Sequence, residues 1–152
     1  DRGYMSQTFV MLKPDAIERH LEKHIIDIFI EEGYEILRQK RMTATKEIIL
    51  SHYDEVIKRL DLEYFTAAII DAFDGKDVIV LELKHSQKDC IQAIRTLIGA
   101  TDPSKADQAS IRGKYGDDSF EEASKEKRMI HNLIHASDSM ESYEKEVTLW
   151  FE

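Results

Sequence analysis

Cysteine is nearly missing from this sequence. Cys90 stands alone, so no disulfide can form within the chain, and a reducing compartment is the expected setting. Long apolar runs are missing too. Apolar residues make up 42% of the 152, but no run of them approaches the roughly 20 residues of a membrane span. The start carries no basic-then-apolar leader, so a cytoplasmic location is expected. Residues 1–6, in which "DRGY" precedes Met5, read as an appended remnant or a disordered start and carry no weight below. Positive charge is in short supply: Lys and Arg number 21 against 30 Asp and Glu, a formal net charge of −9. An acidic surface repels nucleic-acid backbones and anionic lipid unless a strong local basic patch intervenes. A small anion held by a few converging cations remains compatible with it. Glycine is sparse, with six residues, and the phosphate-cradling patterns G-x-G-x-x-G and G-x-x-x-x-G-K-[ST] are absent.

Residues 7–152 suffice for one domain that buries roughly two-thirds of the surface its unfolded form exposes, and no linker divides them. "TFVMLK" (8–13) is a short apolar run ending at a proline, hence a strand and a turn. "EKHIIDIFIEEG" (22–33) has helical periodicity and a glycine stop. "YEILRQKRM" (34–42) reads as a strand with an exposed basic face. Residues 45–60 read as one helix capped by Thr45, with Ile49, His52, Tyr53, Val56, Ile57 and Leu60 as its stripe. A second helix follows over 63–73, then a buried strand over 77–83. A helix over 86–99 opens on a Ser-x-x-Asp box. From 100 to about 128 no apolar period survives, and so long an irregular stretch in a compact domain is usually functional or disordered. A short helix over 139–146, boxed by Asp138 and Glu141, and a closing strand "VTLWF" (147–151) complete the chain. Without the extra helices the order is βαββαβ. The expected class is α+β, ferredoxin-like: a four-stranded antiparallel sheet with helices on one face. That fold hosts many functions and decides none.

Chemistry is concentrated at "NLIHASDS" (132–139). His135 stands among Asn132, Ser137, Asp138 and Ser139, more hydrogen-bonding groups than a packed histidine uses, just ahead of a helix start that favours anions. An unperturbed imidazole titrates near ~6.5, so at neutral pH most of it is an uncharged nucleophile. Its attack on a phosphoryl group would split one transfer into two, with Glu146 or Ser137 orienting the ring. The competing reading is a buried, satisfied histidine. The spacing of His20 with His24 and of His131 with His135 also admits a metal pair, but neither is H-E-x-x-H and no third ligand is nearby. His20, His24 and His85 read as solvated. Cys90 reads as a small packed residue, and "GKYG" (113–116) as a turn, although an RNA-binding module has a similar loop.

"TFVMLKPD", "HY" at 52–53, "LIGATDP" (97–103), "SIRGKY" (110–115) and "NLIHASDSMESYEKEVTLWF" (132–151) occur in this order. Together they resemble the nucleoside diphosphate kinases, over nearly the whole chain. The resemblance implies that His135 accepts the γ-phosphoryl group of a nucleoside triphosphate and passes it to a diphosphate. It implies Lys13, Arg95, Thr101, Arg112 and Asn132 as phosphate and ribose ligands, with Lys13 also catalytic. Tyr64, just before Phe65, falls where the family stacks a ring on the base. Tyr53, Ser137 and Glu146 fall where the family supports the histidine. It further implies Mg2+ carried on the nucleotide phosphates and a homo-oligomer, hexamer or tetramer; the acidic charge and the lack of long apolar runs argue against nucleic acid and exclude a membrane as partner.

The sequence departs from the family pattern in places. "KPDA" stands for KPDG, "RHLEK" (19–23) lacks two glycines, and "HASD" puts Ala136 where glycine is usual. Ala109 replaces a proline-glycine pair, and 114–131 is longer than in the commonest members. The chain ends at Glu152, without the tail many relatives place between subunits. These departures motivate a second expectation, a regulatory relative that binds nucleotide without turnover. An RNA-binding ferredoxin-like module ranks third, because "VIVLEL" offers no exposed aromatics.

Overall fold

The computed structural model describes residues 6–152; the expectation for residues 1–6 falls, except for Ser6, outside them. Strand β1 (Gln7–Leu12) leads into the short helix α1 (Pro14–Glu18) and then α2 (Glu22–Glu31), β2 (Glu35–Thr43), α3 (Lys46–His52), α4 (Asp54–Leu60) and α5 (Phe65–Phe73). The second half runs β3 (Asp77–Lys84), α6 (Cys90–Ile98), α7 (Ile111–Tyr115), α8 (Phe120–Glu126), β4 (Ile134–Ala136) and α9 (Met140–Phe151). The four strands form one antiparallel sheet in the order β2-β3-β1-β4, the ferredoxin-like arrangement.

The sheet is covered on both faces, where helices on one were expected. Alternate residues of β1 serve two cores. Val10 and Leu12 pack with Ile25 and Phe29 of α2 and with Ile94 and Ile98 of α6. Phe9 and Met11 pack with Ile49, Ile69, Phe73, Val147 and Trp150 from α3, α5 and α9. That two-sided burial is why β1 and β3 read as unbroken apolar runs rather than alternating ones. β2, at the sheet edge, exposes Arg38, Lys40 and Arg41, as its basic pattern predicts.

Two corrections bear on function. "VTLWF" is not the fourth strand but the end of α9. Its β-branched and aromatic composition suits a strand, yet Ser139 caps the helix by accepting from Ser142 N–H. Tyr143, Glu146, Val147 and Trp150 then form one buried stripe at spacings of three and four. The fourth strand is the three-residue β4, so His135 lies on the sheet and pairs with Met11.

The stretch after residue 100 is not irregular. A 3-10 turn (Pro103–Lys105), α7 and α8 occupy it. The two helices are too short to show a period, but Ser110 and Ser119 cap them by accepting from Gly113 N–H and Glu122 N–H. Gly113 has no substitute here, since a β-carbon would collide with the Asp107 carbonyl. Two smaller differences complete the comparison. The helix expected over 45–60 breaks at Tyr53 into α3 and α4. α6 starts at Cys90, so Ser86 and Asp89 do not form its box. Among the described residues no helix is long and apolar enough to cross a membrane.

Candidate active site

β1 and β4 run antiparallel, which brings Lys13, at the end of β1, beside the residues that lead into β4. Lys13 N–H donates to Leu133 O at 2.9 Å. Its ammonium donates to Asn132 Oδ1 at 2.7 Å and to the Ile130 carbonyl at 3.3 Å. Asn132 in turn donates from Nδ2 to the Thr101 carbonyl at 3.0 Å, so one amide ties three segments together. Lys13 is 4% exposed and, among the described residues, hydrogen-bonded to no carboxylate. Burial pushes its pKa down to about 8.

Leu133, between Asn132 and β4, has φ +74°, in the left-handed region that a bulky residue adopts at a cost of order 1–3 kcal/mol. The fold holds it there from three sides. Its N–H donates to Asp15 Oδ2 at 3.0 Å, its carbonyl accepts from Lys13, and its side chain is fully buried.

Arg112, on α7, donates to the carbonyls of Asn132 (3.1 Å), Gly99 (3.0 Å) and Ile134. Among the described residues no carboxylate forms an ion pair with it. Burial lowers its pKa to about 10, which leaves it cationic at neutral pH. Arg95, on α6, forms no ion pair among the described residues.

These groups converge on one cleft of about 630 Å3. Lys13, Tyr53, Tyr64, Arg95, Thr101, Arg112, Asn132 and His135 all line it, together with Phe65, Leu60 and Leu62. Ser137 and Glu146 do not reach the cleft but stand behind the histidine. Glu146 Oε2 lies 3.0 Å from His135 Nε2, while Glu146 Oε1 accepts from Ser137 Oγ at 2.6 Å. With one carboxylate oxygen occupied by a hydroxyl, the other is free to accept Nε2–H. That fixes the tautomer: the proton is on Nε2 and the lone pair on Nδ1, which has no hydrogen bond among the described residues. Tyr53 is buried, its hydroxyl held well above the usual phenol range chiefly by burial. It is a donor at any working pH. Its ring meets that of His135 edge-on at 6.3 Å.

Neither histidine pair shares a helix face, the arrangement that a metal pair at that spacing would need: His20, at φ +59°, precedes α2. "HNLIH" is not helical: Leu133 turns the chain, and His131 lies beside Asp118 with its N–H donating at 2.8 Å. His24 stacks on Tyr115 instead. Cys90 is buried, donates to the Ser6 carbonyl at 2.8 Å, and is pushed up to about 11 by burial, so it is no nucleophile.

The sequence did not reveal the remaining cleft wall. Phe120, Ala123 and Ser124 of α8, with Arg128 and Met129, line the same space. Two buried aspartates anchor this lobe. Asp102 accepts from Phe120 N–H at 3.2 Å, and Asp118 takes both Arg128 amino groups at 2.7 and 2.9 Å. Burial alone would raise Asp118; the bonds from Arg128 and the His131 N–H outweigh it and hold the carboxyl well below its ordinary range. Arg128 is thus spent on carboxylates, unlike Lys13, Arg95 and Arg112. The Ser119-x-x-Glu122 pattern was the available signal for α8.

Asp138 is the one carboxylate among the residues described as lining the cleft, and its own oxygen accepts from Ser142 Oγ at 2.6 Å. Mg2+ held by protein alone would need more oxygen ligands than that. The donor set suits a divalent ion that arrives on phosphates.

The nucleoside diphosphate kinase family model matches residues 6–152. Nucleoside diphosphate kinases of Methanothermobacter thermautotrophicus and Pyrococcus furiosus are each 35% identical to the chain, over 148 and 147 residues; both alignments cover 97% of the chain, and they span 88% and 83% of those proteins. The backbone superimposes on a Borrelia burgdorferi nucleoside diphosphate kinase, a transition-state mimic with bound vanadate and ADP. The TM-score is 0.89 at 26% identity, covering 96% of this chain and 86% of that one. It also matches a Halobacterium salinarum nucleoside diphosphate kinase in complex with CDP, with TM-score 0.79 at 30% identity over 96% of this chain and 87% of that one. Sequence, fold and cleft agree, and the chain belongs to the nucleoside diphosphate kinase family.

Proposed function

We propose that residues 7–152 act as one catalytic domain that moves the γ-phosphoryl group of a nucleoside triphosphate to a nucleoside diphosphate by a ping-pong route through His135. One observation carries this reading: Nε2 of His135 is engaged by Glu146, which leaves the Nδ1 lone pair for the cleft. That lone pair attacks the γ-phosphorus, the N–P bond forms, and the bond to the bridging oxygen breaks so that a nucleoside diphosphate leaves. The ring gains positive charge as this happens. Glu146, accepting Nε2–H, stabilises that charge, and Ser137 keeps the carboxylate in place. In the second half, the β-phosphate oxygen of another diphosphate attacks the same phosphorus and returns His135 to its starting form.

Lys13, Arg95 and Arg112, none held by a carboxylate ion pair among the described residues, surround the transferring group, where spread negative charge needs them most. Mg2+, bound through the phosphates, would offset further negative charge. Tyr64 and Phe65 supply a ring face for the base at the apolar end of the cleft. Reading a π-face rather than base edges makes the site tolerant of base identity. Homo-oligomerisation is proposed as well, supported by the open edge that β2 presents.

The test is incubation with γ-labelled triphosphate alone. An alkali-stable, acid-labile label on the protein is expected, lost in His135→Gln; an unlabelled wild-type chain would refute the mechanism.

A further inference from the structure

Against His135 sits a second imidazole that the transfer as described does not use. His52 ends α3 and is buried, its ring 4.4 Å from that of His135 between centroids and nearly perpendicular at 78°. A ring nitrogen of His52, one of His135 and a carboxylate oxygen of Glu146 all lie within 4.8 Å of one another. Two imidazoles and a carboxylate are a donor set for zinc or copper. Trp150 excludes that use. Its indole is a donor only, and it gives its hydrogen to His52 Nδ1 at 3.0 Å. Nδ1 therefore holds the lone pair. Burial, and after it the neighbouring His135, push His52 well below the ordinary imidazole range, so the ring is neutral and its proton is on Nε2. A metal at Nε2 would force that proton onto Nδ1, donor against donor, beside an indole that is 1% exposed.

What remains is a buried N–H with no acceptor: His52 Nε2 is without a hydrogen bond among the described residues. An unpaired buried donor is a cost that a merely packed ring would avoid. A phenylalanine would fill the space against Phe9, Tyr53 and Trp150 without it.

We propose that His52 is a positioning residue: Trp150 sets its tautomer, and its unbonded Nε2–H acts on the His135–Glu146 pair through its dipole rather than through a hydrogen bond, so that Nδ1 of His135 stays turned toward the cleft. His52 itself takes and gives no proton; the bonds made and broken are those of the transfer. The inference rests on the phosphohistidine reading, and labelling of the wild-type chain decides that reading before any variant is compared.

Two substitutions separate the nitrogens. His52→Asn keeps an oxygen where Nδ1 accepts from Trp150 and removes the outer N–H. His52→Gln keeps an N–H near Nε2. Rapid-quench measurement of the first phosphorylation should show His52→Asn slower by about tenfold or more at unchanged nucleotide KM, and His52→Gln within about threefold of wild type. Trp150→Phe, which keeps a ring but frees the tautomer, should also lose rate without changing KM. Wild-type rate in His52→Asn would overturn the proposal, as would equal losses in both His52 variants. Wild-type rate in Trp150→Phe would overturn it too.

Discussion

At the scale of single residues, Lys13 shows the tension between stability and function most clearly. Its pKa near 8 in the folded chain, against 10.5 for an ordinary lysine, means that burial opposes its charge. Between those two values the unfolded chain binds more protons, so this group adds stability as pH rises from about 8 to about 10.5 and detracts from it below. A shift of that size corresponds to about 3 kcal/mol. Lys13→Met should therefore abolish transfer and yet leave stability at pH 7 unchanged or raised by up to about 2 kcal/mol, the lost bond to Asn132 offsetting part of the gain. Urea unfolding measures this, and a marked loss of stability would contradict it. Nucleotide binding should weaken as pH climbs through 8, seen as a rising KM, because the free site then loses a cation.

At the scale of elements, the α8 lobe supplies one wall of the cleft. Phe120 is 48% exposed at the end of α8 that faces the cleft. Phe120→Ala should raise nucleotide KM several-fold, about 1 kcal/mol of lost contact, with little change in kcat; steady-state kinetics with two different bases checks it. Asp118→Asn should loosen the whole lobe, because it leaves Arg128 without its buried partner. The expected cost is on the order of 3 kcal/mol by thermal unfolding. The effect has a pH signature: with its carboxyl held low in the folded chain, Asp118 stabilises above about pH 4 and loses that contribution as pH falls further.

At the scale of the whole molecule, a net charge of −9 coexists with a cleft in which cationic side chains outnumber carboxylates among the described residues: Lys13, Arg59, Arg95, Arg112 and Arg128 against Asp138. Acidic groups on the outer faces set the total; Lys13, Arg95 and Arg112 are gathered from three distant segments by the sheet and the packing of α6 and α7. The proposed site residues named above all belong to one chain. Light scattering should give a native mass of four or six times 17.7 kDa; a mass of one chain would overturn the proposed oligomer.

Local sequence determined much of this. Turn residues, caps and apolar periods marked β1, β2, β3, α2, α5 and α6, because each depends on neighbours within a few positions. The motifs around Lys13, Arg112 and His135 marked the proposed site, since phosphoryl transfer tolerates few side chains. Tertiary structure decided the rest. It made three residues around His135 a strand and "VTLWF" a helix, because β4 forms only against β1 and the stripe of α9 is buried only against that sheet. It turned Arg112 onto three carbonyls and set the tautomer of His52 through Trp150, 98 positions away. Partners so far apart in the chain leave no local pattern, and only the folded backbone brings them within hydrogen-bonding distance.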